Sequence, residues 1–274
     1  MKNQEIIIHI GLHKTGTTFL QKHVFPRIES LSVIRAWDTH RKIIEFNFKE
    51  KILITDEGIS GDPWNGSYLD EFKRNIRNVK RLYGDVKIIF GIRRHDEFIL
   101  SLYKQYLHQK GYKDLSLLYH QDDSGMLKQR DLFFYERIAM LKEMFSNVFI
   151  YSQETLKSRP SSFFKALFLF MDVSCYFNFD TLEKKEENKG VSTKLQVEWL
   201  KRLNAINYKL LNLPFLPSLY NSKFMKYKIT PRDICQIRLK EVKSDKFELP
   251  EELKMHLLTF YKDDWDKSKA YIFY

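Results

Sequence analysis

The sequence predicts an α/β fold: a central, mostly parallel sheet flanked by helices, with a helical C-terminal third. Three observations carry that prediction. Short apolar runs that read as buried strands (IIIHI at 6–10, KILIT at 51–55, VKIIFGI at 86–92, VFIY at 148–151) alternate with segments of helical spacing. The first run opens into a glycine-bearing turn and then a helix start, an arrangement that holds anions on unpartnered backbone N–H groups. Beyond residue 190 the strand-like runs stop and helical patterns remain.

After the opening helix, residues 32–37 read as a short strand and 51–55 as a clearer one. The stretch DEGISGDPWNG that follows is a loop punctuated by Gly58, Gly61, Pro63 and Gly66, so Asp56 and Glu57 stand at a strand end. Ligands of open α/β sheets bind at such ends. Leu69, Phe72, Ile76, Val79 and Leu82 mark a helix over 68–83, and Gly84 suits its terminus. Residues 86–92 are apolar enough for a central parallel strand, which ends in Arg93-Arg94. A helix is expected from Asp96 as N-cap to Lys110, before Gly111.

Residues 112–130 read as a polar, mobile segment, suited to an acceptor-facing loop or short helices. A helix over 132–145, the strand at 148–151 and an aromatic helix over 161–171 follow. After the charged run 183–189, Ser192 is expected to cap a helix carrying Leu195, Trp199, Leu203, Ile206 and Leu210, ended by Pro214 and Pro217. Thr230-Pro231 opens another helix, and Leu249-Pro250 opens the last, which runs towards Lys269. Residues 1–274 read as a single domain, with 191–274 a helical extension of it.

Composition narrows the function. Of 274 residues 43% are apolar, enough for a large core, and 30% are charged. Nothing approaches the ~18 uninterrupted apolar residues of a spanning helix, so no transmembrane segment is expected. The opening apolar run is short, is broken by His9 and continues into the loop, so it does not read as a signal peptide. Cys175 and Cys235 lack metal spacing and suit a reducing compartment, which makes the cytoplasm the expected location. His9 and His13 fall on a strand and a loop rather than on one helix face, so no metal site is expected. The net charge of +11 comes with dispersed lysines and no zinc finger, RNP-like strand or basic helix. It reads as background plus an anion-handling site, without a nucleic-acid partner. Nothing in the sequence indicates an oligomeric state.

The loop itself is specific. Gly11 and Gly16 have the separation of the nucleotide loop G-x-x-x-x-G-K-[ST], and Thr18 stands at its final hydroxyl position. Thr17 occupies the lysine position, and the lysine is displaced to Lys14, inside the loop. The result is a P-loop-like phosphate cradle with a relocated cation.

HKTGTTFLQ resembles the 5′-phosphosulfate loop of sulfotransferases, P-K-[ST]-G-T-T, through Lys14, Thr15, Gly16, Thr17 and Thr18. His13 replaces the usual proline and Phe19 the tryptophan of the cytosolic animal enzymes; the form HxGxxKTGTTxLQ is similar to bacterial and carbohydrate-directed members. The resemblance implies a P-loop-like three-layer fold, 3′-phosphoadenosine 5′-phosphosulfate (PAPS) as donor, its desulfonated form PAP as product, and no required metal. It makes Lys14 catalytic as well as donor-binding.

GIRRHDEFILSLYKQY resembles the family's 3′-phosphate motif, with Arg93 and Ser101 eight apart and Tyr103 soon after. The spacing favours Arg93 over Arg94. FSNVFIYSQETLK resembles a later strand that leads into a Y-x-x-[ED]-x-L turn, and Asn188, Lys189 and Gly190 resemble the late nucleotide-contacting loop.

The carbohydrate branch commonly takes its general base from a glutamate just after the strand that follows the loop helix. KILITDEG places Asp56 and Glu57 there. Strand alternation does not choose between them, because Ile52, Leu53 and Ile54 are all apolar. The resemblance points to Glu57; Asp56, His13 and His40 are the other candidates. It also implies a saccharide acceptor offering a hydroxyl or amine. Two other classes stay open. A P-loop kinase or NTPase would need a lysine where Thr17 stands and a strand-end aspartate such as Asp56 for Mg²⁺. A non-catalytic nucleotide- or glycan-binding module would need only the positive charge.

Overall fold

The computed structural model describes residues 5–35, 50–174, 191–211, 235 and 244–273. Five strands, β1 (Glu5–Gly11), β2 (Leu31–Arg35), β3 (Lys51–Thr55), β4 (Lys87–Ile92) and β5 (Val148–Ser152), form one sheet in the order β2-β3-β1-β4-β5. Every pairing is parallel. All five strands therefore end at one edge of the sheet. The register sets His9 beside Thr55, Gly11 beside Gly91, and Gly91 beside Tyr151.

Strand alternation sends side chains to two helical layers. On one face Ile8, Ile10, Ile88, Phe90 and Ile150 pack under α2 (Tyr68–Tyr83), α3 (His95–His108) and α5 (Phe134–Met144). On the other, Ile7, Leu53, Ile89, Phe149 and Tyr151 pack under Leu20, Val24 and Phe25 and under α7 (Pro160–Met171). Each fully buried Phe or Leu here contributes roughly 1.5–3 kcal/mol relative to exposure, and this burial fixes the sheet edge that carries the loop. Among the described residues the fold is a three-layer α/β sandwich.

Several local expectations are corrected. The helix after the loop is a single α turn, α1 (Thr17–Phe19), which widens into a π segment at Leu20–Val24 and tightens into a 3₁₀ turn at Phe25–Arg27, where Pro26 ends it. Asp96 is not the cap of α3: Arg94 holds that position, and Asp96 sits in the first turn under the Arg94 guanidinium. The segment 112–130 takes one of its two expected forms, with a short helix, α4 (Leu115–Leu118), and backbone bonds from Met126 and Leu127 to Leu117 and Leu118. A six-residue helix, α6 (Gln153–Ser158), follows β5 directly.

The cap of α8 (Lys194–Leu211) is Thr193 rather than Ser192: its hydroxyl accepts Gln196 N, and the Gln196 side chain accepts Ser192 and Thr193 N–H groups. The last helix is two, α9 (Glu251–Phe260) and α10 (Lys262–Lys269), broken at the buried Tyr261. The carboxylate of Asp264 on α10 caps α5 through Phe134 N (2.9 Å) and Tyr135 N (3.0 Å). Asn204 on α8 donates to Leu107 O and Gly111 O, holding the far end of α3. The expected features at Cys175, 183–189, Pro214, Pro217 and Thr230-Pro231 lie outside the described residues, as does His40.

Candidate active site

Three strand ends meet at the carboxyl edge of the sheet. The backbone of Leu12 donates to Gly91 O (3.0 Å), and that of Asp56 donates to His9 O (3.1 Å), so the loop after β1 is tied to both neighbours. Lys14 and Gly16 take positive φ values of 67° and 91°. For a lysine this left-handed conformation is uncommon, and it turns the loop inward before the helix. A Cβ on Gly16 would stand 2.7 Å from Leu156 Cδ2 on α6, so space as well as φ requires the glycine.

Thr15 and Thr17 are buried, whereas Thr18 is only half-buried. Thr15 Oγ1 donates to Leu12 O at 2.7 Å, and the Thr15 and Thr17 hydroxyl oxygens are 3.4 Å apart.

Asp56 and Glu57, between which strand alternation did not choose, have different surroundings. Asp56 caps the short 3₁₀ turn Glu57–Ser60, and its Oδ1 accepts Gly58 N at 2.7 Å. Glu57 turns to the loop instead. Burial pushes its carboxyl above the usual carboxylate range, the Thr17 hydroxyl and the Lys14 charge pull it back, and Asp56 adds to the rise. His13 is held neutral, its pKa brought down to about 4 by burial and by Lys14 against an opposing pull from Asp62. Its Nδ1 lies 3.5 Å from the hydroxyl of Tyr68.

Across the edge, Arg93 and Arg94 diverge. Arg94 forks onto Asp96 through Nε (2.6 Å) and Nη2 (2.7 Å). Arg93 is buried and reaches the loop: Nη1 donates to Lys14 O (3.2 Å), Nη2 to Glu97 Oε2 (2.8 Å), and Nε has no acceptor among the described residues. A buried donor left unmatched costs about 1–3 kcal/mol, a cost that an oxyanion arriving beside the loop would remove. Ser101 lies two turns along α3, half-buried, and one helical turn beyond Glu97. His95 is structural. Its ring is stacked between Phe134 (4.4 Å) and Tyr261 (4.6 Å), and its Nε2 lies 2.8 Å from Leu132 O.

Of the sequence-predicted residues, the structure gathers Lys14, Thr15, Gly16, Thr17, Glu57 and Arg93. Thr18 and Ser101 flank them on α1 and α3. Asn188, Lys189 and Gly190 lie outside the described residues. Sequence reasoning missed Glu97, which holds Arg93. It also missed His9, Thr55 and Tyr151, a polar cluster beneath the loop. The signal for that cluster was available: a histidine interrupting an otherwise apolar central strand.

No family model and no curated protein matches the chain in sequence. Two of the solved structures to which it is similar are sulfotransferases. A sulfotransferase from Alicyclobacillus acidocaldarius is similar at 11% identity and a TM-score of 0.44, covering 65% of this chain and 84% of that one. The mouse sulfotransferase SULT7A1, complexed with PAP, is similar at 14% identity and a TM-score of 0.40, covering 65% of this chain and 62% of that one.

Proposed function

We propose that this chain is a PAPS-dependent sulfotransferase that transfers a sulfonate group to a hydroxyl or amine of a saccharide acceptor. The observation that carries the reading is the meeting of three groups at one sheet edge: the cation-bearing loop at Lys14, the guanidinium of Arg93 in contact with that loop, and a carboxylate at Glu57 facing it. The loop backbone with Thr15, Gly16, Thr17 and Thr18 would hold the 5′-phosphosulfate. Arg93, with Ser101 and the segment Asn188, Lys189 and Gly190, would hold the 3′-phosphate. An arginine suits that task because its planar fork grips an oxyanion in two places.

The chemistry then divides among few groups. The acceptor oxygen attacks sulfur, its proton passes to Glu57, and the bond from sulfur to the bridging oxygen breaks. Lys14 stabilises the charge that builds on that bridging oxygen. Burial raises the pKa of this carboxyl, which makes its carboxylate a stronger base than a solvated one. The packing of α8 on α3 and of α10 on α5 supports one domain rather than two.

Titration calorimetry with PAP and with ATP, each with and without Mg²⁺, tests the donor. Labelled PAPS offered to saccharide, lipid and phenol pools tests the acceptor. Tight PAP binding without Mg²⁺ and label in the saccharides is the expected result. Preference for ATP with Mg²⁺ would make the chain a nucleotide kinase or NTPase, and PAP binding without transfer would make it a binding module.

A further inference from the structure

Helix α3 carries a cation that the proposed donor site does not use. Glu97, Ser101, Lys104 and His108 recur at intervals of four, three and four residues, so they form one stripe along the helix. The stripe starts beside Arg93, whose Nη2 donates to Glu97 Oε2 at 2.8 Å. It ends at His108, whose Nε2 accepts Val191 N at 3.2 Å. In the chain, Val191 directly follows the segment Asn188, Lys189 and Gly190. Both ends of the stripe are therefore tied to segments assigned to the 3′-phosphate, and Lys104 lies between them.

Lys104 is half-buried. Among the described residues its ammonium meets the ring of Phe247, 5.9 Å from the centroid, and no carboxylate. The carboxylate on the stripe, Glu97, is already bonded to Arg93. Phe247 is fixed against α3 by the Tyr103 ring, 5.8 Å away. Its backbone is fixed too: Phe247 N donates to Ser192 O at 2.8 Å, and Lys246 pairs antiparallel with Thr193. Burial, then the positive charge of Lys246, brings the Lys104 pKa below the ordinary lysine range; Arg93 adds to the fall, and Glu97 and Glu248 oppose it. A cation drawn part-way out of water without a partner costs free energy, and an anion arriving beside it would remove that cost.

We propose that Lys104 is a further donor-binding residue, which contacts the 3′-phosphate alongside Arg93 and Ser101 and so sharpens the choice of a 3′-phosphorylated nucleotide over one with a free 3′-hydroxyl. The proposal rests on PAPS being the donor. Ser101 and Lys104 are separated by about 4.5 Å along the helix axis, a gap that the flexible lysine stem spans. A phosphate monoester carries about −1.5 to −2 charge near neutral pH. Arg93 supplies a single positive charge, part of which Glu97 already offsets.

Calorimetry on the full chain with PAP and with adenosine 5′-phosphate, which lacks the 3′-phosphate, tests the proposal. Lys104→Met keeps the apolar stem against Phe247 and removes the charge. It is expected to weaken PAP about tenfold and adenosine 5′-phosphate by less than about twofold. Lys104→Arg, which keeps the charge, is expected to retain most of the PAP affinity. Lys165→Met, on α7 across the sheet, is expected to change neither ligand. An equal loss towards both nucleotides in Lys104→Met, or no loss towards PAP, overturns the assignment. So does a PAP loss that disappears in an Arg93→Ala background, which would make Lys104 a support for Arg93. A wild-type chain with no preference for PAP over adenosine 5′-phosphate overturns the donor reading itself, whereas a preference that survives in Lys104→Met overturns only the role of Lys104. If Lys104→Met does not fold, Lys104→Gln carries the same comparison.

Discussion

The two ends of the proposed donor site are built on opposite plans. At the β1 end, hydroxyls and backbone groups are set in place by bonds among themselves, and the lysine backbone is already bent into its left-handed turn. At the β4 end, the arginines carry carboxylate partners of their own, Glu97 for Arg93 and Asp96 for Arg94. One end is preorganised, and the other holds a stand-in anion that would compete with a donor phosphate under the proposed function. Catalytic stabilisation depends on groups that need no rearrangement at the moment of reaction, whereas an exchangeable partner tunes affinity. Rate should therefore be sensitive to the β1 end and donor affinity to the β4 end.

The strongest test of that division is Lys14→Ala. Turnover should fall by roughly 10²-fold or more while PAP affinity changes far less, because the contact strengthens as the bridging oxygen gains charge. Single-turnover kinetics set beside PAP calorimetry would show it; a loss confined to affinity would erase the difference between the two ends.

Glu57→Gln comes next, with transfer down by roughly 10²-fold and PAP binding retained. The pH dependence has a definite sign. The base works as the carboxylate, and burial raises its pKa. The kcat/KM profile should therefore fall as pH is lowered, with its acid limb above the ordinary carboxylate range. Asp56→Asn removes a neighbouring charge that adds to that rise, so it should move the limb down towards the ordinary carboxylate range while transfer persists.

At the β4 end, Arg93→Ala should weaken PAP by about 1.5–3 kcal/mol and reduce discrimination against an analogue lacking the 3′-phosphate. Glu97→Gln should act oppositely, tightening PAP a few-fold by removing the stand-in carboxylate, with kcat little changed. If Glu97→Gln weakens PAP instead, the carboxylate orients Arg93 rather than competing for it. The smallest effect is one of stability: Gly91→Ala should cost about 1–3 kcal/mol in denaturant unfolding, because its Cβ meets the Tyr151 ring at 2.4 Å.

Much of this was legible in the sequence. The apolar runs at 6–10, 51–55, 86–92 and 148–151 and the shorter one at 32–37 pointed to all five strands, and the glycine-bearing turn between β1 and α1 was legible as well. Local pattern failed where tertiary contacts decide. Asp96 looks like a cap, but its carboxylate is taken by Arg94. The C-terminal periodicity reads as one helix because the break at Tyr261, whose hydroxyl bonds Gln129 O and Tyr119, depends on contacts far off in sequence. Strand alternation did not separate Glu57 from Asp56; the backbone N–H two residues on, which claims the aspartate, does. His9 and Tyr151 are 142 residues apart, and no spacing rule joins them.

The paired glycines at the centre of the sheet also restrict how this sequence can change over time. Position 91 is closed to any side chain while a tyrosine stands at 151, and position 11 is closed while a hydroxyl stands at 17. Replacing Tyr151 by phenylalanine would not free position 91, since the ring carbon Cζ is nearer than the hydroxyl oxygen. The hydroxyl cluster and the bare backbone above it are therefore expected to be inherited or lost together. In a family alignment, a side chain at position 91 should appear only beside a residue smaller than an aromatic ring at position 151.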